Sequence, residues 1–214
     1  MGLEQAEIDF VPRYNLSPTQ QASVIIAAEN GPAIRRARWG LIPSWAKDEK
    51  IGSSLINARG ETVATKPAFR SSFKKRRCLV FADGFYEWQK LPGGKQPIYF
   101  RMHEWRPFIF AGLWDRWNGI ETFTIITTTP NELCVKTHDR MPLILDEADC
   151  LKWIDPASPI DEVNSLIRSY GANAMEAFPV ASHVNSPRLD NPACVQRAEP
   201  RVNWSQTELT SLLS

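Results

Sequence analysis

The sequence predicts an α+β fold: a β-rich, strongly curved, mostly antiparallel sheet or barrel with helices at its periphery. Three observations carry that reading. Short apolar segments, most of them β-branched or aromatic, follow one another with Pro, Gly or Asn between them, which is the pattern of strands joined by turns. Helical periods are few and fall late in the chain. There are no repeats, no low-complexity tract and no long linker in the 214 residues, so one well-filled core is expected in a single domain over 1–214.

The candidate strands are SVIIAAE (23–29), RARWGLI (36–42), RCLVFADGFYEW (77–88), PIYFRM (97–102), PFIFAGLWD (107–115) and ETFTIITTT (121–129). LPGGK (91–95) joins two of them as a hairpin loop, with Gly93 and Gly94 free to take positive φ. LDEADCLKWI (145–154) reads as a helix capped by Asp146, with acids in its first turn. SPIDEVNSLIRSYG (158–171) reads as a second, with Ser158 as cap, Pro159 at the first position and Gly171 as stop. WSQTELTSLLS (204–214) forms a terminal tail or third helix.

Composition bounds the function. The 43% hydrophobic and 23% charged residues lie in the ordinary globular range. No apolar run reaches the roughly 18 residues of a membrane-spanning helix. MGLEQAEIDF carries early acids and no apolar stretch of a signal peptide, so a soluble cytoplasmic protein with no membrane contact is expected. Cys78, Cys134, Cys150 and Cys194 form no CxxC pair, and the three histidines have no ligand spacing; no metal and no cofactor are expected, and the cysteines read as small buried hydrophobes. Net charge is +1. Lys66, Arg70, Lys74, Lys75, Arg76 and Arg77 nevertheless stand in an acid-free window, and Arg35, Arg36 and Arg38 form a second cluster. Each reads either as a solvated face or as a footprint for a phosphate backbone.

Chemistry is concentrated in a few stretches. Alternation along FADGFYEW puts Phe85, Glu87 and Gln89 on one strand face and Tyr86 and Trp88 on the other. Glu87 is then either a solvated or Arg-paired carboxylate, or one whose pKa is raised by aromatic surroundings so that it both donates and accepts a proton near neutrality. Asp83 makes a turn or bulge beside Gly84. Asn57 and Arg59 in INARGET share one face, which is an ordinary surface or a grip for a polar substrate or phosphate. His138, between Thr137 and Asp139, is a hydrogen-bonded structural residue or a proton-transfer group. Trp45 is a core residue or a stacking platform for a base.

RYNLSPTQ (13–20), RWGLIPSW (38–45), INARGET (56–62), FADGFYEW (81–88), ITTTPN (126–131), HDRMP (138–142) and VASHVNSP (180–187), taken together and in this order, resemble the SOS-response-associated peptidase (SRAP) family of abasic-site-processing proteins. The resemblance implies a β-rich α+β fold with a positively charged groove for single-stranded DNA. It also implies a nucleus of chemistry: an amino-terminal cysteine whose amine forms a Schiff base with the opened abasic sugar and whose thiol closes a thiazolidine, a stable protein–DNA crosslink. By motif, Glu87, Asn57 and His138 match the family's catalytic residues: Glu87 for proton transfer to the sugar oxygen, Asn57 for holding the terminus and sugar, His138 for proton transfer at the imine. Arg59 and Arg140 match phosphate contacts, and Pro18, Trp45 and Thr127 match positions along the DNA path. Partners implied are single-stranded DNA with abasic sites and replication-fork proteins; a monomer, nucleoid-associated in a bacterium, is expected. Activity implied is crosslinking or lyase chemistry, with hydrolase action confined to removal of the initiator Met.

The chain departs from the family at its start. It reads Met1-Gly2-Leu3, without the family's MCGRF, and Arg13 follows almost at once. The expectation is a chain lacking the family's first strand and helix, whose intact parent crosslinks abasic DNA while the form as given does not. The alternative is a non-catalytic module that binds single-stranded nucleic acid. A general protease is not expected, because no Ser-His-Asp, Cys-His or zinc motif has recognisable spacing.

Overall fold

A computed structural model describes residues 11–200. The helix expected over 204–214 lies outside them. Five strands close a mixed barrel in the order β7-β4-β1-β2-β8, with β7 pairing back onto β8. These are β1 (Gln21–Ala28), β2 (Gly31–Trp39), β4 (Arg77–Ala82), β7 (Phe108–Trp117) and β8 (Ile120–Thr128). All neighbouring pairs are antiparallel except β2 with β8. The short β3 (Asn57–Arg59) continues the parallel edge where β2 leaves it, pairing Asn57 with Ile125 and Arg59 with Thr127. β9 (Met141–Pro142) and β10 (Ile144–Leu145) fill the wedge where β7 and β8 part. A second, antiparallel sheet runs β11-β6-β5, from Met175–Pro179, Gly94–Met102 and Phe85–Leu91.

Strand alternation sorts the core. Val24 and Ile26, Cys78 and Val80, Phe108 and Phe110, and Phe123 and Ile125 fill the barrel, joined by Phe85, Ile98, Phe100 and Met175 of the second sheet. The intervening Ile25, Leu79, Ala111, Leu113 and Ile126 face outward, under the helices. Those are α1 (Gly60–Val63), α2 (Arg70–Lys75), α3 (Glu147–Ile154) and α4 (Ile160–Ser165), which contribute Val63, Phe73, Trp153 and Val163. Both strand faces are therefore covered, which explains why these segments read as nearly continuous apolar runs.

Four local expectations need correction. RCLVFADGFYEW is two strands in two sheets, broken at Asp83–Gly84. A Cβ at Gly84 would stand 2.1 Å from Tyr99 Cζ, so only glycine lets the chain turn there against the second sheet. Asp146 stands at the N-cap of α3, but its carboxylate makes no capping bond and instead accepts from Arg168. α4 ends at Ser165 rather than running to Gly171, because the following residues are held by distant partners: Ser169 donates to Thr129 O at 2.7 Å and the Tyr170 carbonyl accepts from Asn131 Nδ2 at 2.9 Å. The 36–42 strand ends at Trp39, and Gly40 leaves it at φ 120°. The hairpin expectation holds: Leu91 pairs with Gly94, and Gly93 and Gly94 take φ 83° and 150°.

The basic window is largely structural at its carboxyl end. Arg77 is 1% exposed. Its guanidinium donates to Phe73 O at 2.6 Å, Lys74 O at 3.1 Å, Trp153 O and Asp155 O. It thus satisfies the carbonyl ends of both α2 and α3, where a cation also opposes the helix dipoles. Arg76 pairs with buried Asp115 at 3.2 Å. All four cysteines are free and buried.

Replacing Arg77 by Met keeps the aliphatic stem and strands those carbonyls. The expected loss is about 3 kcal/mol, a fall in melting temperature of about 6–12 °C on thermal denaturation followed by circular dichroism. A variant melting within a degree or two of wild type would show that the two helix ends do not depend on this side chain.

Candidate active site

The break at Asp83–Gly84 carries β5 off the barrel wall and across its interior, so Glu87 leaves the barrel's register and pairs with Ile98 of β6. Phe85, on the same strand face, stacks on Phe100 at 5.0 Å and meets Phe110 edge-on. Glu87 therefore belongs to the core-facing side of the second sheet. It emerges in a cleft of about 990 Å³ between that sheet and the barrel. Trp39, Phe123 and Phe110 give the cleft apolar walls, and Asn57 of β3 and Thr127 of β8 also line it.

Burial pushes the Glu87 carboxyl above the ordinary carboxylate range; the charge of His138 acts against this and that of Asp139 reinforces it. A carboxylate raised in this way is a proton donor and acceptor closer to neutrality than an exposed one. Glu87 is half-buried on the strand rather than fully solvated. His138 lies within electrostatic reach of it. The Arg140 backbone N–H donates to His138 Nδ1 at 3.1 Å. The Arg140 carbonyl and Asp139 Oδ1 stand 3.3 and 3.4 Å from the same nitrogen, so the ring's proton can sit on either nitrogen.

The other expected positions separate. Pro18 is exposed and lines the cleft, and Thr127 is buried on its wall. Trp45 is 59% exposed, which excludes the core reading, but it stands on the loop after β2 and is not among the residues lining the cleft. That loop is fixed: Ser44 N donates to Asp115 at 3.1 Å and Trp117 Nε1 to Ala46 O at 2.7 Å. Arg59 is exposed on β3 beside Asn57's face. Arg140 does not present an open fork. Its Nη1 and Nη2 donate to the two oxygens of Glu61 at 2.7 and 2.8 Å, and Nη2 also to Thr127 O at 2.7 Å. The Arg140 hydrogen bond is the first cause that holds the Glu61 carboxyl below its usual range.

None of the six residues of the basic window lines the cleft; its cations are Arg13 and Arg36. Residues that the sequence reading passed over also gather here. Tyr86 Oη donates to Tyr14 O at 2.6 Å, and Asp190 accepts from the backbone of Tyr14 at 2.6 Å and Asn15 at 2.9 Å and pairs with Arg13. These fasten the RYN stretch along the cleft. The signal was present in the recurrence of polar residues in RYN and VNSP, but the pairing of two segments at opposite ends of the chain is a tertiary fact.

A barrel plugged by a second sheet, with a half-buried carboxyl and an amide on one cleft and a histidine outside its lining but within electrostatic reach of the carboxyl, defines a candidate acid–base site on a strand-rich scaffold. The family described as SOS response associated peptidase (SRAP) matches residues 2–187, and the chain belongs to it. The abasic site processing protein YoqW of Bacillus subtilis is 44% identical over 197 residues, 89% of this chain and 88% of that protein. The abasic site processing protein HMCES of Gallus gallus is 35% identical over 222 residues, 86% of this chain and 66% of that protein. A crystal structure of a Bacteroides thetaiotaomicron protein superposes with a TM-score of 0.77 at 32% identity, covering 85% of this chain and 82% of that one.

Because the folded-state pKa of Glu87 is raised, the native fold favours the neutral acid. That advantage is complete below the ordinary carboxylate pKa and is lost as pH rises through the raised value. Glu87→Gln, neutral at every pH, is expected to melt above wild type at about pH 8 and to converge with it near about pH 4. Equal melting curves at both pH values would contradict the desolvation of Glu87.

Proposed function

We propose that this protein processes abasic sites in single-stranded DNA, taking the damaged nucleotide into the cleft where Glu87, Asn57 and His138 act on its sugar. The observation that carries the reading is the raised Glu87 carboxyl on the wall of a cleft shared with Asn57, in a family whose named relatives process abasic sites. A half-buried carboxyl costs stability when it ionises, and a reacting sugar gives that cost a use.

An abasic sugar exchanges between a closed hemiacetal and an open aldehyde. Neutral Glu87 protonates the ring oxygen as the C1–O ring bond breaks, and the anomeric hydroxyl gives up its proton to water as it becomes the aldehyde carbonyl. A primary amine then adds to the aldehyde carbon, and the carbinolamine expels water to give an imine. The carboxylate left by the first step takes up a proton from the amine nitrogen, the carbonyl-derived oxygen takes up the two protons with which it leaves as water, from the nitrogen and from solvent, and His138 assists at the same nitrogen. Asn57 holds the sugar hydroxyls by its amide. Where the amine belongs to an amino-terminal cysteine, its thiol adds across the imine and closes the thiazolidine, with the thiol proton passing to nitrogen. Gly2 has an amine and no thiol, so after loss of Met1 it supports the imine only.

The test is a denaturing gel of abasic single-stranded DNA incubated with the protein. The chain beginning Met1-Gly2 is expected to give a shifted band only after borohydride reduction. A version whose amino terminus carries the family's Met-Cys-Gly-Arg-Phe is expected to give a heat-stable band without reductant. Glu87→Gln in that version should slow band formation by about 10²-fold while strand binding by anisotropy changes little. A heat-stable unreduced band from the Gly2 chain would overturn the assignment of the thiol. No band from either form would favour a module that binds strands without bond formation.

A further inference from the structure

The proton-transfer chemistry leaves the VASHVNSP motif unused, yet Asn185 in it lines the same cleft beside Trp88. The indole Nε1–H of Trp88 donates to Asn185 Oδ1 at 2.7 Å. An indole nitrogen can only donate, so the amide oxygen is the atom turned toward Trp88 and the flip of the amide is decided. The NH₂ end, carrying two donors, makes no hydrogen bond among the described residues.

The backbone around this side chain is clamped as well. Asn15 is buried, and its Nδ2 donates to Val184 O and Ser186 O, both at 3.1 Å, and to Leu189 O at 2.9 Å. The carbonyls on either side of Asn185 are thus held by one amide. Asn15 is itself held through its backbone N–H by Asp190. The RYN and VNSP motifs lock each other, and what they hold still is an amide donor pair on the cleft wall.

We infer that Asn185 is a substrate-binding residue: its NH₂ donates to a phosphodiester oxygen of the strand in the cleft, with Trp88 as the residue that orients it. This rests on the reading of the cleft as a single-strand site. A donor whose flip and backbone are both fixed loses little freedom on binding, so its hydrogen bond is made at low entropic cost. An anionic phosphate oxygen is the acceptor that suits it, because Arg36 lines the same cleft, with Arg13 there already paired to Asp190, and hydrogen bonds to charged acceptors are the stronger ones.

Two variants separate binding from mere support of Trp88. Asn185→Asp keeps an oxygen for the indole N–H and exchanges the donor for a carboxylate oxygen; Asn185→Ala removes both. Affinity for single-stranded DNA carrying a tetrahydrofuran abasic analogue would be measured by anisotropy, with melting temperature and tryptophan emission recorded alongside. Asn185→Ala is expected to weaken binding about tenfold, and Asn185→Asp to weaken it further while its melting temperature and emission match wild type. A methylphosphonate strand, which removes the phosphate charge, is expected to narrow the gap between Asn185→Asp and wild type. Binding by Asn185→Asp at wild-type strength, or weaker binding by Ala than by Asp, would overturn the inference and reduce Asn185 to a buttress of Trp88. Failure of the wild-type protein to bind the strand would instead overturn the single-strand reading on which it rests.

Discussion

The turn at Asp83–Gly84 is the constraint on which the rest of the site depends. One apolar run leaves the barrel wall at Ala82 and re-enters structure at Phe85 in a different sheet. Without that break Glu87 would continue β4 beyond β7's pairing at Phe108. With it, β5 pairs along β6 and closes over the barrel interior, with Phe85 and Phe100 stacked inside. The turn is possible because Gly84 has no Cβ to meet the Tyr99 ring. A backbone requirement at one residue therefore decides that a carboxylate three residues later is desolvated.

The consequences spread outward from that desolvation. Burial raises the pKa of the Glu87 carboxyl, and the nearby His138 and Asp139 charges adjust the balance in opposite directions. Such a group makes the fold less stable when ionised, which is a common signature of a site shaped for chemistry. The positive charge of the chain follows a different logic from its density along the sequence. Arg77 closes two helix ends, Arg76 meets a buried aspartate and Arg140 is taken by Glu61. The cations that line the cleft are instead Arg36 and Arg13, the latter paired with Asp190. Two members of the basic run, Arg76 and Arg77, are scaffold, while Lys66, Arg70, Lys74 and Lys75 are exposed and stand apart from the cleft.

Much of the fold was legible because alternation and turn residues are local. The strands of the barrel, the 91–95 hairpin and the peripheral helices follow from β-branched runs and glycine positions. The 77–88 segment misled because both of its halves are apolar, and only Tyr99, thirteen residues on from Tyr86, shows that Gly84 must bend. α4 was overestimated because Ser169 and Tyr170 have helix-compatible neighbours in sequence but partners at Thr129 and Asn131 in space. The face of Glu87 could be read from strand period, whereas its depth required knowing that β5 covers the barrel. Trp45 shows the converse: its exposure is a tertiary fact that no reading of RWGLIPSW could decide. The roles of Asn15 and Asn185 were illegible for the same reason, since each is explained by the other.

The most direct measurement is the titration of Glu87 itself, followed by the side-chain carboxyl ¹³C shift of selectively labelled protein. The account predicts a midpoint clearly above that of an exposed glutamate, and a further rise when His138 is replaced by a neutral residue, since its charge acts to lower it. A midpoint at the ordinary carboxylate value, insensitive to that replacement, would contradict the claim that the fold desolvates Glu87 for proton transfer.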